Sequence, residues 1–279
     1  MPAETGAVVC VGTISQVTCL PVADLSLSGY GQTVQSTVLL GNDVVIVAQQ
    51  LSRRGQPVRA VLLRPTTADL ALLRGSQPAA MRVEPVDTRP GPVTASTVLQ
   101  TPTGQRHWLL PPPTTPREPL DLAGAQWLYV DLYDEIEDYL IDQLHKHPAD
   151  ADRRLIVNLS SSRPLDKARG LADLRPFLVQ SSHHGPGTLP DAAAALRDAA
   201  SSSYAVATAG PAGAALASAT GRHLTTPRST KPKVRLGAGA AFSAGLVSAA
   251  LAGADEQGLL DAAAHSATAW LTEEPGGSR

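Results

Sequence analysis

Gly41–Gly55 (GNDVVIVAQQLSRRG) and Val58–Leu63 (VRAVLL) decide the fold class. In the first stretch Val44, Val47, Ala48 and Leu51 fall on one face of a 3.6-residue period. Gly55 suits the left-handed residue that closes a helix. The second stretch is a continuous apolar, β-branched run of the kind buried on both faces of a sheet. Ala7–Thr13 (AVVCVGT), upstream, is another such run. Strand, helix, strand is the βαβ unit, and it requires a parallel sheet.

The alternation continues towards the C-terminus. Strands are expected over Ala125–Leu132, Arg154–Leu159, Pro176–Gln180, Tyr204–Ala209 and Ala214–Ser218. Helices are expected over Asp134–His147, Asp191–Ala200 and Gly258–Leu271, and Leu236–Gly253 reads as a glycine turn followed by a long helix of small residues. Two stretches do not fit this sheet. Gln16–Leu40 alternates apolar and polar residues and breaks at Ser28-Gly29-Tyr30-Gly31, and Ala95–Thr101 and Gln105–Leu110 flank Pro102-Thr103-Gly104. A two-residue alternation marks half-exposed strands. They are assigned to a small β flap or lid, with segments about 14–40 and 93–110 inserted into a single α/β domain spanning 1–279. Pro111–Pro119 reads as a connector and 272–279 as a loose tail. The expected class is α/β: a doubly wound, mostly parallel sheet flanked by helices, with a small β lid.

Bulk composition excludes several classes. Hydrophobic residues are 43% of the 279, enough for a substantial core. A formal net charge of −2 leaves no basic excess for a run of phosphates, and 4% aromatics give no base-stacking platform, so nucleic-acid binding is not expected. Cys10 and Cys19 are too few for a disulfide framework, and Cys10 reads as a buried core residue. No basic segment precedes an apolar stretch at the N-terminus, and no window reaches the length of a membrane span. The expectation is a cytoplasmic protein without a membrane segment.

Four segments, in order and at matching distances, resemble the ribokinase (PfkB) family of sugar and nucleoside kinases. They are VVCVGT with Leu27-Ser28-Gly29-Tyr30-Gly31-Gln32-Thr33-Val34; Gly41-Asn42-Asp43-Val44-Val45-Ile46-Val47-Ala48 with Leu51, Gly55 and Val58; Thr101-Pro102-Thr103-Gly104-Gln105-Arg106; and Gly237-Ala238-Gly239-Ala240-Ala241-Phe242-Ser243-Ala244-Gly245. The last is similar to the family's Gly-Ala-Gly-Asp signature. Thr208, Gly210 and Gly213 stand where the family has its nucleotide loop. The resemblance covers nearly the whole chain and implies a ribokinase-like fold.

The departures fall on the chemistry. The position of the family's proton-accepting Asp is Ala240, so no catalytic residue is assigned; loss of a placed general base costs roughly 10²–10⁴ in rate. The family's Gly-Gly pair is Gly41-Asn42, its sugar-binding Asn is Ile46, and its sugar-binding Asp falls near Gln16 or Val17. Gln180-Ser181-Ser182-His183-His184 replaces the motif that organises magnesium, and Val234 replaces an Asp before the glycine turn. The resemblance therefore implies a pseudokinase-like chain with a degenerate sugar pocket (Gln16, Gly41, Asn42, Ile46). ATP or ADP remains open as a ligand, while magnesium lacks its carboxylate.

The anion site is what persists. Gly237, Ala238 and Gly239 open a helix whose free N–H groups and dipole suit a phosphate. The same glycines equally suit a tight turn and close helix packing. His183 and His184 are cleft candidates for acid–base or metal work, set against a plain polar loop. His145 and His147 flank Lys146 at a helix end, which favours cations. Asp131, Asp134, Glu135, Glu137 and Asp138 read as a solvated acidic face at a helix start. Ser160, Ser161 and Ser162 have no His/Asp partner at a recognisable spacing, and Arg106 reads as a solvated strand charge. No metal-ligand spacing is present.

Three functions follow as expectations. The first is a non-catalytic ligand-binding or partner subunit, forming a homodimer or heterodimer through the flap, as with an active paralogue. The second is an ATP-dependent sugar or nucleoside kinase with weak or atypical transfer. The third is a biosynthetic enzyme reusing the old sugar cleft through His183 or His184.

Overall fold

The computed structural model describes residues 7–22, 37–89, 96–101, 106–109, 115–133, 137–146, 153–160, 163–226 and 236–272. The expectations at Leu27–Val34, Pro102–Gln105, Asp134, Glu135, His147, Ser161, Ser162, Val234 and the tail 273–279 lie outside the described residues, as does the start of the second flap segment at 93–95.

β1 (Val8–Thr13) buries all six of its residues. The chain then leaves that strand for a second sheet, in which β2 (Ser15–Pro21) and β3 (Thr37–Gly41) pair antiparallel. α1 (Asp43–Arg53) returns it to β4 (Val58–Leu63), which lies parallel to β1 with Val8 opposite Val58 and Thr13 opposite Leu63. α1 buries Val44, Val45, Val47, Ala48 and Leu51. It stops at Gly55, whose φ is 83°: the N–H of Gly55 reaches the Ser52 carbonyl and that of Gln56 the Leu51 carbonyl, the two bonds of a Schellman motif.

α2 (Thr67–Ser76) and β5 (Met81–Val86) follow. α2 is started by a capping box: Thr66 Oγ1 accepts from the Asp69 N–H at 3.0 Å, and Asp69 Oδ2 accepts from the Thr66 N–H at 2.9 Å. β5 carries Pro85, and it is an edge strand, where a missing N–H is tolerated. β6 (Thr88–Arg89) pairs with β9 (Thr115–Pro116), so part of the proline-rich connector is a short strand. Between them β7 (Ser96–Gln100) lies parallel to β2, and β8 (Arg106–Leu109) antiparallel to β7. The small sheet has the order β3-β2-β7-β8.

β10 (Trp127–Tyr133) then pairs parallel with β1 on the side away from β4. α3 (Glu137–Lys146), β11 (Arg154–Ser160), α4 (Pro164–Gly170), β12 (Leu178–Ser182), α5 (Leu189–Ala200) and β13 (Tyr204–Thr208) continue the parallel winding. β14 (Ala214–Ala217) and β15 (Arg222–Thr225) close that side antiparallel. α6 (Ala238–Leu251) and α7 (Glu256–Thr272) complete the chain's described part. Among the described residues the large sheet has nine strands, in the order β15-β14-β13-β12-β11-β10-β1-β4-β5.

Each face of that sheet carries its own core. Val8, Cys10, Leu62, Tyr129, Ile156, Leu178 and Val206 pack against α1, α6 and α7, while Val9, Val11, Val130, Val157, Val179 and Ala205 pack against α3, α4 and α5. Successive strand residues point to opposite faces, so continuous apolar runs are what a two-sided core demands. α6 is almost entirely buried, and α7 lies so close that a Cβ on Gly245 would meet Ala263 Cα at 2.6 Å and the Ala262 carbonyl oxygen at 2.7 Å. Among the described residues no helix is long and apolar enough to cross a membrane.

Candidate functional site

The chain goes out from β1 to β4 and β5, and later from β10 to β11, β12 and β13 in the other direction. α1 and α3 accordingly lie on opposite faces. A crevice opens at such a switch point, beyond the carboxyl ends of the strands. Gly12 lets α1 and β10 pack closely there: a Cβ on it would meet Val44 Cβ at 2.9 Å and Asp131 Cβ at 3.1 Å.

A polar row crosses the sheet at that level. Asp131 is opposite Asn158, and Asn158 is opposite Gln180. The Asn158 amide donates to Asp131 Oδ1 at 2.9 Å and to Asp43 Oδ2, in the first turn of α1, at 3.1 Å. Gln180 Oε1 accepts from Ser243 Oγ at 2.9 Å, and Ser243 Oγ also stands 3.1 Å from the Gly239 carbonyl oxygen, so β12 holds the first turn of α6. Burial pushes the Tyr129 hydroxyl well above the ordinary tyrosine range, and the charges of Asp131 and Asp43 push it the same way.

Asp131 corrects the sequence reading. It is 0% exposed, and no part of a solvated face. Trp127, Tyr129 and Asp131 alternate on β10 towards the α1 and α6 layer, so the pleat, not the following helix, sets its environment. Of the remaining acids in that group Asp138 is exposed. Asn158, Asp43 and Tyr129 were not singled out either. The available signal was a lone Asp and a lone Asn inside otherwise apolar strands, where a polar residue is buried only if hydrogen-bonded.

α6 begins at Gly237, with φ 86° and no side chain capping the helix. Its first-turn N–H groups have no carbonyl one turn earlier to bind. Gly239 is exposed, and a Cβ there would meet nothing within 4 Å. No acidic residue occupies this turn, so the backbone present fits a phosphate such as that of ATP or ADP. Ala240, the next residue, is fully buried. The turn is gripped from two sides. The Trp270 indole N–H donates to the Leu236 carbonyl at 2.8 Å, and a Cβ on Gly237 would meet Ile46 Cδ1 at 2.8 Å and Trp270 Cζ2 at 3.0 Å.

The structure thus brings Ile46 to Gly237. Gly41 ends β3, buried, and Asn42 precedes α1. Gln16 lies half-buried on β2, opposite Leu40 in the small sheet. Thr208 ends β13, and its carbonyl accepts from the His183 N–H at 2.7 Å, which places His183 beside the Thr208 strand end. The His183 ring Nε2 is buried without a hydrogen-bond partner, while His184 is exposed. Gly210 (φ 54°) and Gly213 (φ 102°) bracket the short turn between β13 and β14, closed by the Ala209 N–H on the Gly213 carbonyl at 2.9 Å. His145 lies in the last turn of α3, where its ring faces the Gly170 carbonyl at 3.2 Å. The side chains of Ser160 and Arg106 lie outside what is described. Among the described residues no group of three or more His, Cys, Asp or Glu could hold a metal ion.

No family model matches the chain, and no curated protein matches it. Solved structures do. Ribokinase from Thermotoga maritima superposes with a TM-score of 0.70 at 14% identity, covering 94% of this chain and 91% of that one. Phosphofructokinase-2 from Escherichia coli, in complex with substrates and products, gives 0.70 at 14% identity, covering 95% and 92%. The tetrameric inhibited form of the same enzyme gives 0.68 at 13%, covering 95% and 94%. The mostly parallel nine-stranded sheet with helices on both faces is therefore a ribokinase-like fold, shared with kinases of the PfkB and ribokinase type.

Proposed function

We propose that this ribokinase-like chain has given up ordinary sugar phosphorylation and serves as a ligand-binding or partner subunit. The observation that carries this is one position at the start of α6: Ala240 offers a buried methyl group where the resembled family has its proton acceptor, and no acid stands in that turn. A methyl group accepts no proton, and nothing else in the first turn of α6 can. Ile46 supports the same reading. It packs on Gly237 and leaves an apolar surface where a polyol would need a hydrogen-bonding side chain.

The small sheet supplies the partner surface. Val38, Trp108 and Leu109 are exposed on it, and among the described residues no further strand pairs with its outer strands β3 and β8, the kind of edge a second subunit covers. Oligomers occur in this fold, as the tetrameric phosphofructokinase-2 illustrates. The partner is a second copy or a related active chain. The α6 turn retains its fit for a nucleotide phosphate through the N–H groups of Ala238, Gly239 and Ala240.

Calorimetric titration with ATP and ADP, with and without magnesium, tests the nucleotide part. A screen of sugars and nucleosides for phosphoryl transfer tests the loss of activity. The expected result is nucleotide binding without turnover, and no binding at millimolar nucleotide would remove the nucleotide part of the reading. Robust transfer to any acceptor would overturn the reading in favour of an atypical kinase.

A further inference from the structure

Residues 13–15 and 41–43 are two of the places where the chain passes between the large and the small sheet: Thr13 ends β1, Ser15 starts β2, Gly41 ends β3 and Asp43 starts α1. Asn42 sits at the second passage with φ 78° and ψ 142°, a conformation that favours glycine. It occupies the N-cap position of α1 yet makes no capping bond to that helix. An Asn there ordinarily spends its side chain on the first-turn N–H groups. Here the side chain turns the other way. Its amide nitrogen donates to Thr13 Oγ1, and its oxygen accepts from Ser15 Oγ at 3.2 Å. Ser15 Oγ in turn stands 3.1 Å from Ser96 Oγ, at the first residue of β7. Since Ser15 gives its one hydroxyl proton to Asn42, Ser96 is the donor in that pair.

We infer that Asn42 locks the joint between the two sheets. One side chain ties the last residue of β1 to the first residue of β2, and Ser15 passes the tie to the start of β7. Two of the small sheet's strands are thereby fastened to the large sheet at one point. Gly41 tightens the same joint, because a Cβ there would lie 2.2 Å from Val17 Cγ2 of β2. The uncapped helix and the glycine-like backbone of Asn42 are both unfavourable by themselves, and the cross-sheet bonds offset them. The small sheet is then a fixed platform and not a swinging lid. This goes beyond the proposed function and is read without ligand or partner, so the two stand or fall separately.

Spin-label distance measurements test it on the full chain. The labels go on Val38→Cys, exposed on β3, and on Asp198→Cys, exposed on α5, in a Cys19→Ser background; Cys10 is buried and its thiol is pushed far up by burial, so it stays unlabelled. A single narrow distance is expected with Asn42 present. That single population is expected to be lost in Asn42→Gly, which frees the backbone, and in Ser15→Ala, which leaves the backbone alone and removes two bonds of the tie. Circular dichroism checks that each variant is folded. If Asn42→Gly does not fold, Ser15→Ala alone decides. A broad distribution in the parent, or a folded variant as narrow as the parent, overturns the lock.

Discussion

Ile46 and Gly237 meet across the α1 and α6 interface, with Ile46 Cδ1 where a Cβ on Gly237 would have to stand, 2.8 Å away. The contact makes Ile46 an apolar wall behind the turn that opens α6. Gly237→Ala would add both this overlap and a side chain at φ 86°. It is expected to cost about 2–4 kcal/mol in urea unfolding, and to weaken any ATP or ADP binding in calorimetry.

Ala240→Asp is expected not to create a kinase. The new carboxylate would enter a fully buried apolar site, a placement that costs several kcal/mol or leaves the acid protonated. Ile46, Asn158 and Gln180 would be unchanged. A lower melting temperature with no phosphoryl transfer is the expected outcome, and transfer restored by this one change would contradict the proposed function.

Gly245→Ala tests the packing of α6 on α7. Its Cβ would meet backbone atoms, Ala263 Cα and the Ala262 carbonyl oxygen, which no rotamer change can relieve. A loss of about 1–3 kcal/mol is expected, read as a shift in the urea midpoint at constant slope.

Tyr129→Phe has a pH signature. The folded protein holds the Tyr129 hydroxyl neutral well above the ordinary value of 10.0. The unfolded chain ionises at that value, so the stabilisation is present below pH 10.0 and is lost as the pH rises beyond it. Near neutrality the substitution is expected to change stability by less than about 1 kcal/mol, since Ser243, the neighbour of the hydroxyl, gives its proton to Gln180 and no partner stands within hydrogen-bond geometry of Tyr129. Above pH 10.0 the variant should lose stability less steeply than the parent; Tyr139, also raised by burial, keeps the profile from becoming flat.

The winding of the large sheet was legible because β1, α1 and β4 each show a single period, and Gly55 marks the stop that the Schellman bonds confirm. α2 and β5 were not. Leu72 is exposed and Leu73 buried, so the apolar residues of α2 do not keep to one stripe, and Pro85 disguises an edge strand. α4 was missed for its shortness, Pro164–Gly170. At the site, the sequence put apolar side chains at Ala240 and Ile46. It did not foretell what surrounds them. The bond from Asn158 to Asp43 spans 115 positions, and no local pattern announces a partner that distant.

The grip on the Gly237 turn also bears on biosynthesis. Ile46 reaches the turn from α1 and Trp270 from α7, and Arg54 fastens α1 to α7 by donating to Ser266 Oγ at 2.6 Å across 212 positions. During translation the early helix must wait for the late one. A ribosome-bound chain that has completed β1 through β15 has the strands of the large sheet but not the first turn of α6, and that turn is not held in place until α7 emerges.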